Sequence, residues 1–175
     1  QQEANACLNG IDGVETDAVM ADQLLRLTDA QRTSQGVSEL SMLSSLSEAA
    51  RLHALDMAVR GYASHQDLEG RTHLDRVRML ERSRLIGAFG ANIVIVKAGA
   101  SAEDVQKVIM ADEANAANLK RDEFDHMGVA AVEANGVLYV VELFARIDGQ
   151  LNTPVPMVAA PRTNLAADYS DQFEP

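Results

Sequence analysis

The 175-residue chain contains no tryptophan, one cysteine and only seven aromatic side chains, three tyrosines and four phenylalanines. A hydrophobic content of 47% must therefore come mainly from aliphatic residues, enough for one domain with a sizeable core. The single cysteine, Cys7, excludes an intrachain disulfide and a cysteine metal cluster. It lies in the opening QQEANACLNGIDG, an acidic setting that does not activate a thiol, so an unpaired thiol is the expected state. Cationic residues are scarce: 15 Lys and Arg face 26 Asp and Glu, a net charge of −11 and a pI near 4.7. That field repels phosphate backbones and anionic lipid surfaces, which argues against a nucleic-acid partner. There is no apolar run of the ~20 residues that a membrane-spanning helix needs and no basic-then-apolar leader. No fixed-period repeat is present, and Gly87, Gly90 and Gly99 lack the spacing of a phosphate-cradling loop.

Proline is missing from the first 153 residues, and Pro154, Pro156, Pro161 and Pro175 crowd the end. The expected division is a loose N-terminal segment over 1–14, one folded domain over 15–148 and an extended proline-containing tail over 149–175. Within the domain, spacing predicts a first helix from about Glu15 to Thr33 with Val19, Leu24, Leu25 and Leu27 on its apolar side. A second runs from about Leu40 to Arg60 with a stripe of Leu43, Leu46, Ala50, His53, Ala54 and Met57, ended by Gly61. A short helix from about Leu74 to Ser83 follows a polar loop. GAFGANIVIV reads as a strand, and SAEDVQKVIMADEANAANLKRD as one long helix capped by Ser101. Strands at 127–133 and 137–147 flank Asn135-Gly136, a strong hairpin signal. The order α, α, α, β, α, β, β implies an α+β fold in which helices cover both faces of a small antiparallel sheet.

Several of these residues carry a family pattern. Arg32, then Ala50, His53, Ala54, Asp56, Met57 and Ala58, then Gly61, Tyr62, Ser64 and His65 trace an A-x-x-H-A-x-D-M-A helix running into an aromatic-Ser-His loop. Gly90, Asn92 and Ile93 fit a G-E-N-I strand, and Gly128, Val129 and Tyr139 to Phe144 fit a closing hairpin. Over residues 20 to 146 the chain resembles the bacterial branch of the CAP superfamily, the fold of cysteine-rich secretory proteins, antigen 5 and plant pathogenesis-related proteins. The resemblance implies an α-β-α sandwich. It also implies a cleft with two histidines and two acidic groups, which in some members bind a divalent metal.

The departures bear on chemistry. Against that pattern His65 is retained, Ala91 replaces the glutamate of G-E-N-I, Asp29 stands where asparagine is usual, and in IMADEANAAN Asp112 and Asn115 replace a serine and a histidine. Zinc takes three or four imidazole, thiolate or carboxylate ligands at about 2.0 to 2.3 Å. An amide and a methyl group in place of an imidazole and a carboxylate leave too few donors, so no metal and no cofactor is expected at the cleft. Asp112 keeps open a weak, oxygen-rich site for a harder cation. The cleft candidates are His65, Asp112, Asn115 and Asn92. Read on their own, Asp112 and Asn115 fall on a helical stripe with Val105, Val108, Ala116 and Leu119, where they either hydrogen-bond into the core or border a cavity. His53 reads as a hydrogen-bonded core histidine, His126 as a surface group, and His73, eight residues after His65, as the second member of a weakly signalled metal pair with it.

Catalysis has little support. Ser64 and His65 are sequence neighbours whose side chains point apart, and His65 with Asp112 is the one base-and-orienter pair available. The reading is a secreted or envelope-associated, non-enzymatic CAP-domain protein that binds a small apolar ligand, lipid or peptide at a degenerate cleft. A structural or interaction scaffold of the envelope is the alternative, and a residual peptidase the second. The location expected with this reading is secreted or periplasmic, with the signal peptide already removed.

Overall fold

The structure, a computed structural model, describes residues 13–151. Cys7 and the four prolines lie outside them. So do most of the residues expected to form a loose N-terminal segment and a tail, while strand pairing runs from Val14 to Gln150. The elements are β1 (Val14–Thr16), α1 (Ala18–Ser34), β2 (Ser41–Met42), α2 (Ser44–Arg60), α3 (His73–Leu80), β3 (Arg84–Lys97), α4 (Ala102–Ala111), α5 (Glu113–Lys120), β4 (His126–Ala134) and β5 (Val137–Gln150).

The sheet order is β1-β4-β5-β3, antiparallel throughout except for the two-residue β2, which runs parallel to β4. Strand alternation divides the core. Val94, Met127, Val129, Ala131, Val140 and Phe144 face α1, α4 and α5, whereas Ala130, Val132, Val141, Leu143 and Ala145 face α2 and the buried Val77 of α3. The α-β-α sandwich expected from the sequence is therefore the observed architecture. Asn135 and Gly136 turn β4 into β5 with both residues at positive φ (52° and 75°), the conformation that a two-residue hairpin demands. At Gly128 a side chain would collide with the α2 backbone at Leu46 and Ser47, so the absence of a Cβ there lets helix and strand touch.

On the α1 side the chain is tied by Arg32, fully buried. Its guanidinium donates to the carbonyls of Ser38 (2.7 Å), Leu119 and Arg121 (2.9 Å each) and Phe124 (3.1 Å), joining α1 to the end of α5 and the approach to β4. Asp29 accepts from the Leu40 N–H at 2.8 Å and fixes the turn after α1.

Three local expectations are corrected. Val19, placed on the apolar side of α1, is 67% exposed, because Asp17 caps the helix through the Met20 N–H and rotates Met20 and Leu24 to the core. Leu40 to Met42 do not begin α2. Ser41 and Met42 pair with His126 and Met127 instead. The long helix after Ser101 is two helices, because Asp112 adopts an extended conformation and caps α5 through the Asn115 N–H at 2.9 Å.

Candidate functional site

The Gly61–Thr72 loop that carries His65 is clasped by charge. The buried Asp67 carboxylate accepts from the N–H groups of Glu69 (3.0 Å) and Arg71 (2.8 Å), from Arg71 Nε (2.6 Å) and from Arg76 Nη2 (3.0 Å). Burial pushes its carboxyl up, but these donors outweigh that and hold it below the ordinary range. Arg60 spans Glu69 and Asp56, and the Tyr62 hydroxyl donates to Asp56. Oxygens of Asp56, Asp67 and Glu69 lie within 4.8 Å of one another, yet Arg60, Arg71, Arg76 and Tyr62 already occupy them, which makes the cluster a loop clasp.

Three histidines line up behind this loop. His53 on α2 is a core histidine, as expected, with Nε2 2.7 Å from the Ser64 carbonyl. A carbonyl only accepts, so His53 carries its proton on Nε2. Its ring meets His73, the first residue of α3, edge-on at 4.5 Å between centroids. His73 in turn reaches the exposed His65, with Nε2 3.0 Å from His65 Nδ1. Only 5% of His73 is exposed, and burial, then the neighbouring His53 and His65, push its pKa down to about 3. His73 Nδ1 is buried without a partner. A stranded N–H is costlier and rarer than a stranded lone pair, which places the His73 proton on Nε2, donated to His65 Nδ1. His65 Nε2 then carries the remaining proton and offers a donor outward.

His65 and His73 border a depression of about 760 Å³ whose other walls are Ser64, Gln66, Thr72, Leu74, Phe89, Gly90 and Ala91. The wall facing the histidines is thus a stretch of β3 with one aromatic ring and two small residues. Ser64 Oγ accepts from the Gln66 N–H at 3.2 Å, and no bond joins it to His65. His126 is half-buried at the start of β4 and pairs with Asp125 at 2.6 Å, away from these walls.

Of the four cleft candidates only His65 lines this depression. Asp112 is spent on capping α5 and is exposed. Asn92 is 1% exposed on the opposite face of the sheet from Ala91. There its Nδ2 donates to the Asn115 carbonyl (3.2 Å) and to Glu142 Oε2 (3.0 Å), and its Oδ1 accepts from Asn118 Nδ2 (2.9 Å). The structure therefore joins Asn92 to Asn115 and leaves both apart from His65. The spacing of His65 and His73 suggests a metal pair, whereas the structure joins the two rings directly by a hydrogen bond. Glu142 went unremarked, although an acid in VLYVVELFA, alternating with Leu138, Val140 and Phe144, was the available clue.

The sequence matches the CAP, cysteine-rich secretory protein family over residues 25–144. The chain belongs to this family. It is 30% identical over 115 residues to the uncharacterized protein YkwD of Bacillus subtilis, which covers 66% of this chain but 43% of YkwD, so the chain spans less than half of that curated relative. The fold is similar to that of an extracellular protein containing a SCP domain from Bacillus anthracis (TM-score 0.62, 21% identity, 73% of this chain and 40% of that one). It is also similar to an outer surface protein from Borrelia burgdorferi (TM-score 0.65, 15% identity, 77% and 98%). These CAP proteins are extracellular or surface-borne, and among the described residues no helix is long and apolar enough to cross a membrane. The divalent metal that the family implies for some members does not fit the residues here. The walls offer two imidazoles already bonded to each other and no carboxylate, and Ala91 presents a methyl group.

Proposed function

We propose that this CAP domain is a secreted or envelope-associated binding module whose ligand has an apolar body and a hydrogen-bond acceptor, as a lipid or a peptide has. The observation that carries the reading is the make-up of the depression: Leu74, Phe89, Gly90 and Ala91 supply apolar surface beside His65, whose outward nitrogen is a donor. A concave, partly apolar wall with one well-placed polar group is the usual form of a small-molecule site.

Hydrolysis is disfavoured by the same arrangement. With its outward nitrogen protonated, His65 is not poised as a base, and the group orienting it is a neutral imidazole in place of a carboxylate. Ser64 has no base within hydrogen-bond reach among its described contacts.

The test is a titration of the full chain with a fluorescent long-chain fatty acid and, separately, with a labelled apolar peptide. Saturable binding by either probe that Ala91→Trp abolishes, by filling the depression, supports the site. Absence of saturable binding by both probes, or binding indifferent to Ala91→Trp, overturns it.

A further inference from the structure

Glu142 lies at the centre of the sheet, paired across it with Asn92 on β3 and Val129 on β4. It is 1% exposed, and only one of its carboxylate oxygens has a partner: Oε2 accepts from Asn92 Nδ2 at 3.0 Å, while Oε1 has none. Every element packed on this face presents neutral groups to it, with one exception. β3 brings Asn92 and Val94, β4 brings Met127, Val129 and Ala131, α4 brings Val105 and Ile109, and α5 brings Ala116, Leu119, the Asn115 backbone carbonyl and the Asn118 side-chain amide. α1 brings Leu24, Thr28 and Arg32, and the Arg32 guanidinium is turned to four backbone carbonyls. Among the described residues no cation is in hydrogen-bond contact with Glu142. A lone anion enclosed in this way is costly, so the carboxyl keeps its proton unless the surroundings yield.

What would yield is the packing around the unpaired Oε1, since an ionised carboxylate holds the Asn92 N–H more firmly. Asn92 links it to α5 through the Asn115 carbonyl and the Asn118 amide, and Asn118 Nδ2 also donates to the Ala91 carbonyl at 3.2 Å. Beside them Gly90 brings β3 so close to α5 that a Cβ there would sit 2.9 Å from Asn118 Oδ1 and from the Phe124 ring. Gly90 and Ala91 are also part of the wall facing His65. One unbroken chain of contacts thus runs from the buried carboxyl to the surface of the depression.

We propose that Glu142 is a proton-controlled latch: protonated, it lies enclosed while β3 and α5 close on each other through Asn92, and once ionised, with Oε1 unpaired, it draws in water that loosens that packing and the Gly90–Ala91 wall. Burial, opposed only by the Asn92 hydrogen bond, raises its pKa to about 7, which puts the transition where a protein outside the cell meets natural changes of acidity. The latch is a property of the ligand-free domain and stands whether or not the depression binds a lipid or peptide.

The experiment is carbon-detected NMR of the full chain from pH 4.5 to 8.5, following the Glu142 carboxyl carbon, assigned by its loss in Glu142→Gln, with the Ala91 backbone amide and the Asn118 side-chain amide. The latch requires a carboxyl midpoint near 7 and the same midpoint at Ala91 and Asn118. In parallel, the Tm of the wild type should fall by about 10 °C between pH 5 and pH 8 by more than that of Glu142→Gln. A carboxyl midpoint in the ordinary range below 5, or Ala91 and Asn118 amides that do not follow it, overturns the proposal. If Glu142→Gln does not fold, selective labelling of glutamate in the wild type still reports the midpoint.

Discussion

On each face of the sheet one buried titratable side chain is held neutral, and the two are pushed in opposite directions. His73, on the α2 and α3 face, is held below its ordinary pKa, whereas Glu142, on the face covered by α1, α4 and α5, is held above its own. The cause is the same, since each is kept neutral by the loss of water without a countercharge. Burial alone does not decide this. Glu81 is also buried, yet donors from Ser83, Arg84 and Ser45 at 2.6 to 3.0 Å overcome the upward push of burial and bring it down to about 2. What separates Glu81 from Glu142 is the number of donors around the carboxylate. The difference between the faces is access: the histidine chain ends at an exposed imidazole, whereas the carboxyl lies inside and reaches the depression only through Asn92, Asn118 and the β3 backbone.

The largest effect that would break the comparison is the acid limb of stability. His73 has a folded pKa near 3 and an unfolded value near 6.5, so its neutral form favours the fold fully above 6.5, and that contribution disappears as pH falls toward 3. Complete titration corresponds to a loss on the order of 4 kcal/mol. Urea unfolding between pH 7 and pH 4 should show the wild type losing stability relative to His73→Phe as the pH falls. Equal slopes would mean that His73 is not buried as a neutral ring. Glu142 runs the other way: its folded pKa is raised, so stability is complete below about 4.5 and declines as pH climbs to about 7, a change of about 3 kcal/mol. Between pH 4.5 and 6.5 the two contributions oppose each other. The wild type should be flattest there, and each single variant should tilt the profile by exposing the other group.

This comparison was only half legible in the sequence. The helix carrying His53, the His65 loop and the Asn135-Gly136 hairpin are local patterns, set by 3.6-residue spacing, a helix-ending glycine and a turn dipeptide, and they are found where they were expected. The cleft partners depend on long-range pairing. Asp112 and Asn115 are expected on one continuous helix, but a single cap at Asp112 breaks it, leaving Asp112 exposed and joining Asn115 to Asn92 through its backbone carbonyl. Val108 lies on α4 ahead of that break and is 46% exposed, while Val105 and Ile109 take the core side of the helix. The face taken by Asn92 follows from strand alternation against Ala91, but what it meets there, Glu142 and α5, lies 50 and about 25 residues away and leaves no local signature.

A smaller effect sharpens the closed side. Asn118→Ala removes two hydrogen bonds from one nitrogen, to Asn92 Oδ1 and to the Ala91 carbonyl, and strands a buried acceptor. A loss of about 1–2 kcal/mol is expected in urea unfolding at pH 6, with faster hydrogen exchange at β3 near Ala91. A neutral result would show that α5 does not hold this wall.

The smallest effect belongs to the open side. His65→Ala removes an exposed ring and leaves the His73 Nε2–H to water in the depression, so stability at pH 7 should fall by less than about 1 kcal/mol. Zinc should notice the change just as little. Tight zinc binding takes at least three strong donors at about 2 Å. Here two imidazoles share one hydrogen bond, the wall opposite contributes a methyl group, and Asn115, an amide where the family pattern has an imidazole, has its backbone tied to Asn92 and Asp112. Asp112 is the nearest carboxylate in the aligned motif, and it caps α5. Calorimetric titration of the metal-free chain with zinc should therefore give no sub-micromolar site and the same isotherm for His65→Ala. A sub-micromolar affinity lost in that variant would mean that the loop bearing His65 closes onto donors it does not touch in this structure, and the division of labour between the two faces would then have to be redrawn around a metal.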